Sequence, residues 1–318
     1  MMRDPASVLE WQAGDVVGTA ADKRAAHAAL EYGDGVRALV AMREGILTRG
    51  AHASAPVVAD EDIRRVLESL FSPEVLELRA IDWASPSAVL DRIVRYEAVH
   101  DIADRDELRR RLQPDDRRCF GLFHPAMSDD PVIFTEIALT SGPVASIDGI
   151  LAAERTPVSA EAATTAIFYS ISGSQPGLRG IAFGGLLIAR ATAALRRALP
   201  RLDEFLTLSP LPGFRSWISD VADSGEAPAQ LRALARSLAD PALGPEAPAK
   251  DEELRRAAEA YLLDTRPADG RPVDSVARFH LGNGATLDRV YVGADTSARG
   301  LRESFGVMAS YRYERQAL

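Results

Sequence analysis

Hydrophobic residues recur at helical spacing in the first third of the chain. The apolar positions of residues 36–47 fall on one face of a predicted helix. A second helix is predicted over 61–71 by the same periodicity. A third is predicted up to residue 98, with Ser85 as its N-cap and Pro86 in its first helical position. The chain therefore begins with a predicted α-helical region.

Strand-like apolar runs appear from about residue 119 onward, at 119–123, 132–139 and 164–172. A long amphipathic helix is predicted over 184–199, between that last strand and another at 205–209. A strand, a helix and a second strand in this order form a βαβ-like unit, which joins parallel strands. The pattern predicts an α+β fold in which helices precede a mixed sheet.

Composition narrows the function classes. The chain has 318 residues and a mass of 34.3 kDa, enough for about two domains. Its net charge of -9 argues against binding to nucleic acid or to an anionic membrane. The only lysines are Lys23 and Lys250, in polar segments, so neither a Schiff-base lysine nor pyridoxal phosphate is expected. The single cysteine, Cys119, fits a reducing compartment.

Metal and targeting signals are not visible in the sequence. The five histidines are scattered without the spacing of metal ligands, so no metal site is predicted. The first residues lead into no signal-like apolar stretch, and no uncharged run is long enough to span a bilayer. The expected location is the cytoplasm.

A glycine-rich segment, QPGLRGIAFGG at residues 175–185, separates a predicted strand from the long helix. Small residues at such a turn allow backbone N–H groups to converge on an anion, and the positive end of the helix dipole adds to the attraction. Turns of this composition are also common for geometric reasons alone. The segment resembles the pyrophosphate loop of the GNAT acyltransferase superfamily, which binds acyl-CoA.

Further segments, in the same order along the chain, resemble the malonyl-CoA decarboxylase family. They are YEAVH at 96–100, AIFYSIS at 166–172, FLTLSPLPGF at 205–214, ARFHLGNGA at 277–285 and GVMASYRY at 306–313. The resemblance implies a GNAT-like domain that binds acyl-CoA and converts malonyl-CoA to acetyl-CoA and CO2. It places a shortened helical domain at 1–72 and the catalytic domain at 73–318. It implies no cofactor. Because the helical domain is shortened, homo-oligomers built on that domain are not expected, and the apolar helix faces left exposed would favour self-association through some other surface.

The resemblance also assigns the site residues. It makes Ser209 and His280 the catalytic pair, with Ser170 and Tyr313 lining the substrate site. The residues that hold the CoA pyrophosphate are Arg179, Gly180, Ile181, Ala182, Phe183, Gly184 and Gly185. The unperturbed pKa of histidine, about 6.5, makes His280 the natural proton donor with both protonation states accessible near neutrality. Ser209 would hydrogen-bond the malonyl group and help to orient or to relay the proton.

The same residues also allow other interpretations. Ser209 at a strand end before Pro210 is typical of a turn residue. His280 sits in an alternating pattern between Phe279 and Leu281, which indicates a strand and a histidine of the core. A GNAT-type acyltransferase that moves an acyl group to an amine or carrier thiol remains an alternative, as does a silent acyl-CoA sensor. The choice between malonyl and methylmalonyl substrates is open.

Overall fold

The protein is described by a computed structural model that covers residues 34–49, 60–225, 227–239, 251–264 and 270–314. Its strands, β1 to β8, are Glu77–Ile81, Arg117–Phe123, Ile133–Thr140, Thr165–Gly173, Glu204–Thr207, Ser209–Pro210, Ala285–Tyr291 and Met308–Tyr313. Its α-helices, α1 to α11, are Gly35–Arg49, Asp60–Leu70, Ser87–Tyr96, Arg105–Leu112, Ile147–Leu151, Gly184–Ala198, Phe214–Asp223, Ala229–Ala239, Asp251–Leu263, Ser275–Gly282 and Ala298–Ser304. Helices α1 and α2 precede the first strand, which confirms the α+β class and the helical N-terminal region.

The strands form one mixed sheet in the order β1-β2-β3-β4-β5-β8-β6, and β7 pairs with β8. Strands β4 and β5 are parallel and are joined through α6, so the predicted βαβ unit is confirmed. Strand β8 runs antiparallel to β5, β6 and β7. One strand thus borders three others at the end of the βαβ unit.

The third predicted helix is confirmed as α3, but its predicted cap is wrong. Pro86 occupies the N-cap position and makes no side-chain capping bond. The Ser85 hydroxyl instead accepts a hydrogen bond of 3.0 Å from the Asp82 N–H, while the Ser85 N–H donates to the Asp82 carbonyl. Ser85 therefore closes a turn that precedes the helix. Because its hydroxyl is occupied within that turn, it does not cap α3.

One compact unit contains the described residues up to 98 together with 120–134 and 172–187. Its buried side chains include Leu39 of α1 and Leu67 of α2. The ring of Phe71 packs edge-on against the ring of Phe183, with centroids 6.2 Å apart. Helices of the N-terminal region and the glycine-rich segment thus belong to the same unit.

The other compact unit contains residues 99–119, 135–171 and the described residues from 188 onward. One of its clusters of buried side chains comprises Ala138, Ile147, Ile150, Ile167, Tyr169, Leu206, Leu208, Ala294 and Met308. The predicted domain boundary between residues 72 and 73 stays a prediction. None of the helices in the described ranges is long and apolar enough to cross a membrane.

Candidate active site

Ser209 lies just after the point where β5 ends and the short strand β6 begins, and both strands pair with β8. Strand β5 ends at Thr207, and β6 begins at Ser209, which lies opposite Ala309 of β8. Pro210 follows and has no N–H to offer a neighbouring strand, so the ladder cannot continue regularly. The chain turns here, and the serine side chain is left buried at 6% exposure.

His280 lies on helix α10, so the strand predicted around it is wrong. The Asp274 side chain accepts a hydrogen bond of 2.6 Å from the Ala277 N–H and caps this helix. Ala277 and His280 are buried and three residues apart, which places them on one helical face. The alternation of apolar and polar residues around His280 does not reflect a strand, because Leu281 is 37% exposed and does not face the core.

The structure joins Ser209, His280 and Tyr313 by hydrogen bonds. Ser209 Oγ lies 3.0 Å from His280 Nε2, and His280 Nδ1 lies 3.0 Å from Tyr313 Oη. Ser209 Oγ also bonds to Thr207 Oγ1 over 3.1 Å. The result is a polar run of four side chains, Thr207, Ser209, His280 and Tyr313, in buried surroundings.

Two members of this arrangement were not found by sequence reasoning. Thr207 accepts a hydrogen bond of 3.1 Å from the Tyr311 N–H, and the Tyr311 ring stacks on the His280 imidazole at 4.6 Å. Side chains two residues apart on a strand share one face. Because Tyr311 and Tyr313 are two apart on β8, this spacing could have placed Tyr311 beside His280.

Burial sets the charge state of His280. Desolvation lowers the pKa of His280 to about 3. The expectation that both protonation states are accessible near neutrality is therefore wrong, because the buried imidazole is stable only in its neutral form. Burial also raises the pKa of Tyr313, so that its phenol stays protonated. The run of four side chains is uncharged at neutral pH.

A cavity of about 180 Å³ opens beside Ser209 and His280. Ser170, predicted to line the substrate site, lies at its wall and is 1% exposed. The remaining lining is mostly apolar and is formed by Val99, Phe168, Tyr169, Ile171, Pro210, Ser275, Val276 and Phe279. Three serines, Ser170, Ser209 and Ser275, and the His280 imidazole therefore line a small, mostly apolar chamber, which suits a short acyl group with few polar atoms.

The glycine-rich segment lies in the other compact unit. Gly180 has a φ of +86°, a left-handed conformation that favours glycine. The Arg179 and Ile181 N–H groups close local turns. Within the described residues, no backbone acceptor is found for the N–H groups of Gly184, Gly185 and Leu186, the first residues of α6. Free N–H groups at a helix start are suited to an anion.

Arg43 of α1 holds the glycine-rich segment. Its guanidinium is buried and donates hydrogen bonds of 2.8 Å to the carbonyls of Gly177 and Arg179. The same group donates to Asp60 over 2.8 Å, which neutralises its charge. Two carbonyls of the segment are thus directed onto Arg43, and their peptide units have a fixed orientation. Sequence reasoning did not find this residue.

The predicted site residues fall into two groups. Ser209, His280, Tyr313 and Ser170 lie together in one compact unit, whereas Arg179 to Gly185 belong to the other unit. In the part of the chain that the structure describes, no three histidine, cysteine, aspartate or glutamate side chains cluster as metal ligands would. The absence of a cofactor stays a prediction.

Comparison with known families and sequences gives a consistent result. Residues 74–318 match the family model described as malonyl-CoA decarboxylase C-terminal domain. The chain is 35% identical to mitochondrial malonyl-CoA decarboxylase of Anser anser anser over 314 residues, which cover 88% of this chain and 61% of that protein. It is 32% identical to the Rattus norvegicus protein of the same name over 309 residues, covering 88% and 62%. The chain thus spans about three fifths of the length of these relatives.

Solved structures show the same similarity. The crystal structure of malonyl-CoA decarboxylase from Rhodopseudomonas palustris matches with a TM-score of 0.81 and 43% identity, covering 88% of this chain and 70% of that one. The enzyme from Agrobacterium vitis matches with a TM-score of 0.81 and 44% identity, covering 89% and 70%.

Proposed function

Because this chain belongs to the malonyl-CoA decarboxylase family, we propose that it converts malonyl-CoA to acetyl-CoA and CO2 without a cofactor. The observation that carries the proposal is the hydrogen-bonded run of Ser209, His280 and Tyr313 beside a small, mostly apolar cavity. Its members hold exchangeable protons and are uncharged at rest.

The substrate itself accepts the electrons. When the bond between the α-carbon and the carboxylate breaks, CO2 leaves and the electron pair moves into the thioester carbonyl as an enolate. The protein must weaken solvation of the carboxylate, stabilise the enolate oxygen and protonate the α-carbon. The apolar cavity walls weaken solvation of the carboxylate, and the Ser170 hydroxyl is a donor to the enolate oxygen. One well-aimed donor is worth about 2.7–4 kcal/mol.

Protonation of the α-carbon is achieved by a relay of uncharged groups. Ser209 gives its hydroxyl proton to the α-carbon and receives the proton of His280 Nε2. His280 Nδ1 receives the proton of Tyr313, whose phenolate is then reprotonated by solvent. The transfers from His280 to Ser209 and from Tyr313 to His280 each follow a contact of 3.0 Å. Because the imidazole gains one proton as it loses another, it never carries the charge that burial disfavours.

The glycine-rich segment is proposed to bind the CoA pyrophosphate. Its support is that the N–H groups of Gly184, Gly185 and Leu186 have no backbone acceptor among the described residues, and that Arg179 is exposed. These groups fit a negatively charged ligand although the whole chain is acidic. A cytoplasmic location, self-association, and the absence of nucleic-acid or membrane partners stay predictions from the sequence.

The direct test is to incubate the purified protein with malonyl-CoA, without acceptor or added metal, and to measure CO2 and acetyl-CoA. Equal amounts of both products are expected. Turnover that requires an added amine or carrier thiol would instead identify an acyltransferase. Binding of malonyl-CoA with neither product would identify an acyl-CoA sensor. Methylmalonyl-CoA in a parallel assay measures the substrate preference.

A further inference from the structure

We propose that Tyr261 is a positioning residue that sets the separation of Ser209 and His280; this inference rests on the proposed function. Tyr261 lies on helix α9, is 2% exposed, and does not line the cavity beside the two residues. Its hydroxyl contacts the chain segments that carry both of them.

The first contact is to the helix of His280. The Tyr261 hydroxyl donates a hydrogen bond of 2.9 Å to Asp274 Oδ2. Asp274 is the N-cap of α10, and its other oxygen accepts from the Ala277 N–H. The phenol therefore restrains the residue on which the helix begins, six positions before His280.

The second contact is to the segment of Ser209. A Cβ atom placed on Gly213 would lie 2.5 Å from the Tyr261 hydroxyl oxygen. Gly213 is the N-cap of helix α7 and ends the segment that starts at Ser209. The absence of a side chain at this position lets the hydroxyl pack directly against the backbone.

Displacements at these two contacts would be passed on to the reacting groups. Between Ser209 and Gly213 lie two prolines, Pro210 and Pro212, whose fixed φ angles stiffen the segment. Between Asp274 and His280 lies a continuous helix. Ser209 Oγ and His280 Nε2 are 3.0 Å apart, and an error of about 1 Å in such a pair can cost about a hundredfold in rate.

Neighbouring aromatic rings hold Tyr261 itself in place. Its ring centroid lies 5.6 Å from that of Phe214 and 5.4 Å from that of Trp217, both on α7. The Trp217 Nε1–H donates 2.8 Å to Asp264, just after α9. A hydroxyl on so constrained a ring is a fixed reference point for two segments 61 residues apart (Gly213 and Asp274).

The test uses Gly213→Ala, Tyr261→Phe and the double variant. The added methyl of Gly213→Ala meets the hydroxyl at 2.5 Å but the ring carbon Cζ at 3.6 Å, an ordinary contact. Gly213→Ala is therefore expected to lower kcat about tenfold or more, with KM for malonyl-CoA unchanged. In the Tyr261→Phe background, which itself loses about five- to tenfold in kcat, the same methyl should cost almost nothing. Gly225→Ala, where the methyl meets open space, is the matched control.

A second readout separates this proposal from the proposed function. The ¹⁵N resonance of His280 Nε2, assigned through His280→Gln, reports its hydrogen bond to Ser209 without any turnover. The resonance should shift in Gly213→Ala and return towards its Tyr261→Phe position in the double variant. If the wild type binds malonyl-CoA without decarboxylating it, the proposed function fails while this measurement still decides the positioning role.

The proposal is overturned if a folded Gly213→Ala has wild-type kcat and an unshifted His280 resonance. It is equally overturned if Gly213→Ala lowers kcat by the same factor in the Tyr261→Phe background as in the wild type, since the hydroxyl is then not the obstacle. If Gly213→Ala does not fold, Tyr261→Phe decides alone: a lowered kcat with unchanged KM and a shifted resonance support the role, and unchanged values refute it.

Discussion

Tyr313 Oη and His280 Nδ1 lie 3.0 Å apart, although the two residues are 33 positions apart in the chain. The phenol is at the end of β8 and the imidazole is near the end of α10, so strand and helix bring together a donor and an acceptor. This contact occupies the ring nitrogen that faces away from Ser209. A proton can therefore enter the imidazole on one side as another leaves on the other.

Tyr313→Phe removes the hydroxyl of this contact and keeps the ring. We expect kcat to fall by about a hundredfold, in line with the loss of a positioned proton donor, while KM for malonyl-CoA stays within about twofold. Steady-state kinetics of CO2 release measure both values. Tyr96→Phe, on helix α3, is the control and should retain wild-type kcat. An unaltered kcat in Tyr313→Phe would remove the phenol from the relay.

Ser209→Ala and His280→Gln should each lower kcat by at least about a hundredfold, because both interrupt the same relay. The double variant should be no slower than about the worse single variant, since residues that act as a unit are not additive. Binding of CoA, measured by calorimetry, should be retained in all three. Additive losses in the double variant would show that the two side chains act in separate steps.

The rate should not follow an ordinary histidine titration. Because burial lowers the pKa of His280 to about 3, the free enzyme keeps a neutral imidazole well below pH 6.5. We expect kcat/KM for malonyl-pantetheine, which lacks phosphates that titrate near neutrality, to stay level between about pH 5 and 8. A loss of activity centred near pH 6.5 would contradict a neutral His280.

Folding stability should decrease in mild acid because of the same burial. The folded state holds His280 neutral down to about pH 3, whereas the unfolded chain binds a proton near pH 6.5. The contribution of His280 to the free energy of unfolding is thus complete above about pH 6.5. It is lost as the pH falls towards the pKa of His280 in the folded state, at about 1.4 kcal/mol per pH unit. Urea unfolding from about pH 4 to 6 should show that stability changes less steeply with pH in His280→Gln than in the wild type, by about this amount per pH unit. Equal slopes would contradict the shift.

Arg43→Lys keeps the positive charge beside Asp60. The lysine ammonium lacks the planar set of donors with which the guanidinium reaches the carbonyls of Gly177 and Arg179. If these bonds orient the glycine-rich segment, affinity for CoA should fall by about tenfold, an amount equal to about 1.4 kcal/mol. Calorimetric titration with CoA measures the change, and Arg64→Lys on the exposed side of α2 is the control. Equal affinities in the two variants would show that the segment binds without Arg43.

The main elements that frame the candidate site follow from the residues within each of them. Local periodicity predicted α1, α2 and α6, and the order of apolar runs predicted the βαβ unit, because these signals lie within one or two dozen neighbouring residues. The segment around Ser209 stood out through its resemblance to a family. The strand predicted around His280 was wrong because the cap formed by Asp274, six residues earlier, overrides the local alternation.

Tertiary structure alone decided the charge and the hydrogen-bond partners of the site. Ser209 and His280 are 71 residues apart, and the Thr207 contact to Tyr311 spans 104 residues. A pKa depends on burial and on groups brought close by folding, so it could not be predicted from the residues around His280. The same holds for Arg43 and for Tyr261, whose contacts exist only because distant segments pack against each other.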